Sequence, residues 1–325
     1  VSLELRFQAG PIAQAWAGLY RAADRSPLPQ GIAVGPAAAG AYIKLVWRGS
    51  PWRIAREIMP EGAQGGQGRV AIVLFSGGKD SAAAALRAAA AGYEPILLYA
   101  QGINPAYPEE IEAARRMAAA LAMPLRIVEV RARRGAYIEN PTKNQLLLAC
   151  AADIGLRWGA SLLSAGIMAA DQSPNMPFGA GLSDGADCQG AAADWIERFV
   201  PGLRVERAPI RNDTDSLLEV ARAGLLPLAQ SCMTGVRFRG SLRTRNMAKH
   251  GVDLMPNRCG SCYKCALEFL TLGLAGMGQR SQGYEAHCAD ILTDSAERIS
   301  GQRMPRADAL RLFIDPQQVD VAALG

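Results

Sequence analysis

The chain lacks any unbroken apolar run long enough to span a membrane, and no positively charged start leads into an apolar stretch and a cleavage site. No membrane anchor is expected, and the expected compartment is the cytosol. The sequence begins at Val1, so an initiator Met or a longer leader is expected ahead of it. An internal repeat is also missing, which argues against a repeat architecture. Charge is short of an extreme: 35 Lys and Arg against 30 Asp and Glu give a net charge of +5, too mild to argue for a nucleic-acid partner by itself. Two familiar phosphate motifs are absent, the G-x-x-x-x-G-K-[ST] loop and the dinucleotide fingerprint. An even cysteine framework is lacking too. There are 7 cysteines, three of them clustered, and in a reducing compartment this favours a metal site over disulfides.

What remains is a chain of 325 residues, half of them hydrophobic. That length accommodates one large α/β domain with an extension, or two smaller domains, and a core that needs no metal to hold its bulk together. Residues 1–68 read as an N-terminal extension and linker. Ser2–Phe7 alternates like a strand, Ile12–Arg25 like an amphipathic helix, and Ala41–Trp47 like another strand. The Gly/Gln-rich stretch Glu61–Gly68 reads as a linker.

From Arg69 the pattern alternates strand with helix. Val70–Phe75 is a short apolar run, as expected of a strand buried on both faces. Ser81–Ala91 predicts a helix ended by Gly92, and Pro95–Ala100 a strand. Further on come helix Pro108–Ala122, strand Leu125–Val130, helix Asn144–Arg157, strand Ser161–Ile167 and helix Ala191–Phe199. This order predicts a parallel, doubly wound α/β sheet over residues 69–231. Residues 232–325 read as a metal-binding and helical C-terminal region.

Ser76-Gly77-Gly78-Lys79-Asp80-Ser81 lies between the first buried strand and the alanine-rich helix. Two glycines allow a tight turn that brings bare N–H groups close to an anion. The helix N-terminus adds further donors and partial positive charge. Ser76 and Ser81 supply hydroxyls, Lys79 a cation, and Asp80 a helix cap or a ligand for Mg²⁺. Farther along, Cys259, Cys262 and Cys265 are spaced C-x₂-C-x₂-C, with Gly260 permitting the turn. Tetrahedral Zn²⁺ takes four ligands, and Cys232 is the nearest upstream candidate. The same spacing serves iron–sulfur clusters. Structural zinc is expected here, because a fourth cysteine is present and no ligand position need stay open.

The loop resembles the SGGxDS signature of the PP-loop ATP pyrophosphatases, with the adenine nucleotide α-hydrolase-like fold that this implies. Together with the mid-chain and cysteine motifs, it resembles the 7-cyano-7-deazaguanine synthase family over roughly residues 69–270. That family's P-x-[RK]-N element is matched by Pro141-Thr142-Lys143-Asn144. Its Gly and following Asp are matched by Gly166 and Asp171, and its PDCR string in part by Ala186-Asp187-Cys188-Gln189. Its helix before the first zinc cysteine is matched by Asp215–Gly224, and its C-G-x-C-x-x-C by Cys259, Cys262 and Cys265.

The resemblance implies an ATP-dependent ligase that adenylates 7-carboxy-7-deazaguanine and releases pyrophosphate. Ser76, Gly77, Gly78, Lys79, Asp80 and Ser81 would bind ATP with Mg²⁺. Lys143, Asn144, Asp171 and Asp187 would lie near substrate or nucleotide. Asp80, Ser81 and Lys143 would serve catalysis.

The departures concern the acceptor side. The family's His after the second strand is lost in Tyr99-Ala100-Gln101-Gly102-Ile103, and a polar insertion spans Gln172–Leu182. A basic segment, Met233–Arg258, separates Cys232 from the other cysteines and carries Arg237, Arg239, Arg243, Arg245, Lys249, His250 and Arg258. It reads either as a solvated basic loop or as a docking surface for a protein or nucleic-acid partner. Only Phe238 is interleaved with these cations, so base stacking has little support. Three activities are therefore expected in order. The first is acyl transfer from the adenylate to an amine on a macromolecule, as in diverged relatives associated with phage defence. The second is ammonia-dependent synthesis of the nitrile, and the third is tRNA modification by base adenylation.

Overall fold

The computed structural model describes residues 52–58, 69–101, 109–132, 212–234 and 236–320. Between 133 and 211 it describes 147–148, 151–152, 154–155, 158–166, 193, 196–197 and 202–206. Six strands form one sheet in the order β1-β4-β3-β2-β5-β6. They are β1 (Trp52–Ile58), β2 (Val70–Leu74), β3 (Glu94–Gln101), β4 (Leu125–Ala132), β5 (Ala160–Ala165) and β6 (Arg204–Val205). β2 through β6 are parallel, as the alternating strand and helix pattern predicts. β1 pairs antiparallel with β4 at the edge. The sequence pattern groups Trp52–Ile58 with the N-terminal extension, yet this strand completes the main sheet.

Val70, Ala71, Ile72 and Val73 in β2 are all buried, which is why this central strand is apolar on both faces. Helix α1 (Lys79–Ala90) follows β2, and helix α2 (Glu110–Ala120) follows β3. Ala71, Val73 and Phe75 share a core cluster with the alanines of α1 and with Ala114 and Met117 of α2. The small side chains Ala82–Ala85 and Ala88 are buried, so α1 lies close against its neighbours. On the opposite face Ile72 approaches Gly155, within the expected helix Asn144–Arg157. The described residues of that segment, 147–148, 151–152 and 154–155, are helical. Helices thus cover both faces, and the winding is double.

The chain moves outward from β2 to β3 and β4, then returns to place β5 and β6 on the other side of β2. This reversal opens a crevice at the carboxyl ends of β2 and β5, the usual position of ligand sites in open parallel sheets. Helix α3 (Asp213–Arg222) packs beside α1, capped by Asn212, whose side-chain oxygen accepts from Asp215 N at 2.9 Å. Helices α4 (Val236–His250), α5 (Tyr263–Leu274), α6 (Gln282–Ser300) and α7 (Arg306–Phe313) complete the described chain. Leu267 and Leu270 of α5, Tyr284 and Leu292 of α6, and Leu310 and Phe313 of α7 form a second core. Cys288 lies in this core, away from the other described cysteines.

Candidate phosphate-binding loop and metal centre

The loop after β2 is compressed from two sides. Gly77 has a φ of +76°, and a Cβ there would lie 2.5 Å from Ala114 N in α2. Gly166, just past β5, faces the first turn of α1 so closely that its Cβ would lie 2.6 Å from Ser81 N. Glycine is required at both places for steric reasons, and at Gly77 for backbone conformation as well. Gly78 opens α1, and no side chain caps the N–H groups of the first turn. The Ser81 hydroxyl accepts from Ser76 N at 3.3 Å and donates to Gly78 O at 3.0 Å. It closes the loop on itself.

Lys79 does not reach into the crevice. It is 3 % exposed and turns inward, donating to Asp80 Oδ1 at 2.5 Å, to Asp213 of α3, and to Ser216 Oγ at 3.2 Å. Ser216 Oγ in turn donates to Asp80 Oδ1 at 2.6 Å. Burial pulls the Lys79 pKa down, but Asp213 and Asp80 outweigh it and hold the ammonium above its usual value. Burial pushes the Asp80 carboxyl up, but Lys79 and Lys264 outweigh it and hold the group below the usual carboxylate range. In this arrangement Lys79 anchors α1 to α3, where the sequence suggested a phosphate contact. The anionic neighbourhood of the loop belongs to Asp80, whose side chain keeps partial exposure.

The metal-binding expectation holds in its coarser form. Cys232, Cys259, Cys262 and Cys265 bring their sulfurs within 4.8 Å of one another. Cys259 and Cys265 are 3.9 Å apart and Cys262 and Cys265 3.4 Å apart. A tetrahedral ion with metal–sulfur bonds of about 2.3 Å requires edges of about 3.8 Å, so the donor set can hold a metal ion. Cys262 caps α5, which places Cys265 one turn along the same helix. The four thiols share protons by mutual hydrogen bonding. The bond to Cys259 raises Cys232, those to Cys262 and Cys265 outweigh it, and Cys232 falls to about 6.

The surroundings suit an anionic thiolate set. Cys259 Sγ accepts from Thr234 Oγ1 at 3.0 Å and from Ser261 N at 3.3 Å. Arg258 is buried beside the cluster, donating to Glu268 Oε1 at 2.6 Å and to Ala229 O at 2.8 Å. Burial alone would lower its pKa, but Glu268, Cys265 and Cys232 raise it.

The basic stretch between the cysteines contains α4, which carries the chain from Cys232 back to Cys259. Part of its charge is structural. Arg239 is 7 % exposed and donates to Thr234 O and to Glu109 Oε1, each at 2.9 Å. Arg243 donates to Leu254 O at 2.6 Å. Arg245 and Lys249 are exposed, as is Phe238. Lys143, Asn144, Asp171 and Asp187 lie outside the described residues. So do Ser2–Phe7, Ile12–Arg25, Ala41–Trp47, Glu61–Gly68 and the insertion Gln172–Leu182. The sequence reading missed Asp213, Ser216, Gln230 and the Arg239–Glu109 pair. Asp213 is 134 residues from Lys79, so no local pattern joins them.

No family model matches the chain, and no curated protein matches it. Among the described residues no helix is long and apolar enough to cross a membrane.

Proposed function

We propose that the chain is an ATP-dependent enzyme that adenylates a carboxylate, with 7-carboxy-7-deazaguanine as the first substrate to test. The observation that carries this reading is the Ser76–Ser81 sequence at the carboxyl end of β2, beside the strand-order reversal, with uncapped N–H groups at the start of α1. Such donors suit the charge that develops on a departing pyrophosphate. A substrate carboxylate oxygen attacks the α-phosphate, the bond to the β-phosphate oxygen breaks, and pyrophosphate leaves. An amine then attacks the acyl adenylate, and AMP leaves. Asp80 would hold Mg²⁺ at the mouth of the loop, where the ion would offset phosphate charge. Ser81 keeps the loop shaped. Lys143, Asn144, Asp171 and Asp187 are assigned to substrate or nucleotide by the family resemblance.

We assign zinc to the four thiols as a structural ion, because all four positions are protein ligands. The acceptor is proposed to be an amine on a protein or other macromolecule, in keeping with the changed acceptor-side motifs. The second reading is ammonia-dependent nitrile synthesis. The test is incubation of zinc-loaded protein with ATP, Mg²⁺ and 7-carboxy-7-deazaguanine, with and without ammonia, followed by mass spectrometry. Carboxylate-dependent AMP and pyrophosphate are expected. A free nitrile or amide would move the acceptor to ammonia. Carboxylate-dependent ADP, or no nucleotide turnover, would overturn the proposal.

A further inference from the structure

We propose that the cysteine cluster is a clamp on the Ser76–Gly78 loop, so that metal loading and anion binding at the loop are thermodynamically coupled. Two routes connect them. The first runs along the chain. Gln230 lies two residues before Cys232, and its N–H donates to Gly77 O at 3.0 Å. A Cβ on Gly78 would lie 3.4 Å from Gln230 O, so this strand of chain also walls the loop. The segment is fastened from the cysteine side: Arg258 and Asn257 Nδ2 both donate to Ala229 O, at 2.8 and 2.7 Å.

Between Ala229 and Cys232 the side chains add no hydrogen bond to this hold. Gln230 Nε2 and Ser231 Oγ are buried without a hydrogen-bond partner. Its position therefore comes from its ends, and Cys232 is one end.

The second route runs through space. Thr234 Oγ1 donates to Cys259 Sγ, and Thr234 O accepts from Arg239, which also grips Glu109 at the start of α2. The backbone of Ala113 and Ala114 in α2 is what presses on Gly77. The loop is thus caught between two elements that each lead back to the same cluster.

An ion that joins Cys232 to Cys259, Cys262 and Cys265 fixes all of these positions together. Without it Gly77 O can lose its donor, and the loop can leave the shape that presents its N–H groups. Linkage then requires the converse: an anion that selects the ordered loop must tighten the metal by the same factor.

The inference uses the nucleotide reading of the loop for one of its two measurements only. The first measurement is amide hydrogen exchange of residues 76–81 in zinc-loaded and chelated protein. The second is binding of ATP or pyrophosphate to both forms, paired with zinc competition at saturating anion. Removal of zinc is expected to speed exchange at residues 76–81 and to weaken anion affinity about tenfold. Saturating anion is expected to raise zinc affinity by that same factor.

Should the chelated chain unfold, Gln230→Pro in zinc-loaded protein serves instead. It deletes the N–H, and Ala229 already has φ −67° and ψ 128°, the conformation a residue before proline takes. Faster exchange at residues 76–81 with zinc retained supports the clamp. Arg239→Met, cutting the second route, should add to that effect. Unchanged exchange in the chelated protein, or in both variants, overturns it. If zinc-loaded protein binds neither ATP nor pyrophosphate while exchange responds to zinc, the nucleotide reading fails and the anion coupling with it, while the metal's hold on the loop stands.

Discussion

The inward orientation of Lys79 can be tested by charge removal. The ammonium has three N–H donors and meets three acceptors, on Asp80, Asp213 and Ser216. Breaking a buried ion pair by removing one partner costs about 3–5 kcal/mol. Lys79→Met takes away the ammonium that Asp80 and Asp213 share and should fall in that range. Asp213→Asn keeps an acceptor oxygen and leaves Asp80 to balance the charge, so about 2–3 kcal/mol is expected. The double variant removes both charges and should cost less than the sum, with a coupling of about 2 kcal/mol.

Urea unfolding at neutral pH, read by linear extrapolation, measures all four corners of this cycle. The pH dependence has a definite sign. Lys79 is raised, so its contribution is full below about pH 10.4 and is lost as pH climbs through the raised value. Asp80 is lowered, so its contribution is full above about pH 3.9 and is lost as pH falls through the lowered value. Single variants that each cost less than about 1 kcal/mol, with no coupling, would refute the buried pair. If Lys79→Met then abolished ATP cleavage in a stable protein, Lys79 would be a phosphate ligand after all.

Three further outcomes are expected. Arg258→Met removes one of the two donors to Ala229 O and strands Glu268 in the interior, so thermal or urea unfolding should show a loss of about 3–5 kcal/mol. Gly77→Ala places a methyl against the backbone of α2 at positive φ. It should destabilise by more than about 1 kcal/mol and weaken anion binding, as followed by circular dichroism and calorimetry. Arg239→Ser should destabilise the fold, whereas exposed Arg245→Ser should stay within about 0.5 kcal/mol of the parent. Equal stability of those two variants would mean that Arg239 is not held as the structure shows.

Much of the half around the Ser76–Ser81 loop was legible in advance, because its signals are local. A buried strand, a Gly-Gly turn and an alanine-rich helix each declare themselves within a few residues, through periodicity and backbone freedom. The cysteine spacing was equally plain. Helix α4 was harder to see, since a stretch dominated by arginines shows little apolar stripe. Its place in the fold comes largely from polar anchors such as Asn246, whose Nδ2 donates to Cys259 O at 2.9 Å.

The sequence by itself determined the alternation of strand and helix from β2 to β5, the glycines of the loop and the thiol count, because these follow from propensity and spacing along the chain. Only the tertiary structure decided which groups meet. It set β1 on the edge of β4, sent Cys288 into the helical core, and turned Lys79 away from the crevice toward Asp213. It also brought Gln230 against Gly77, joining the cysteine cluster to the loop. The physical reason is the same in each case. Strand pairing, burial and ion pairing are chosen by proximity in space, where removal of water makes an unpaired charge or backbone group costly, and that proximity is not written in any short stretch of residues.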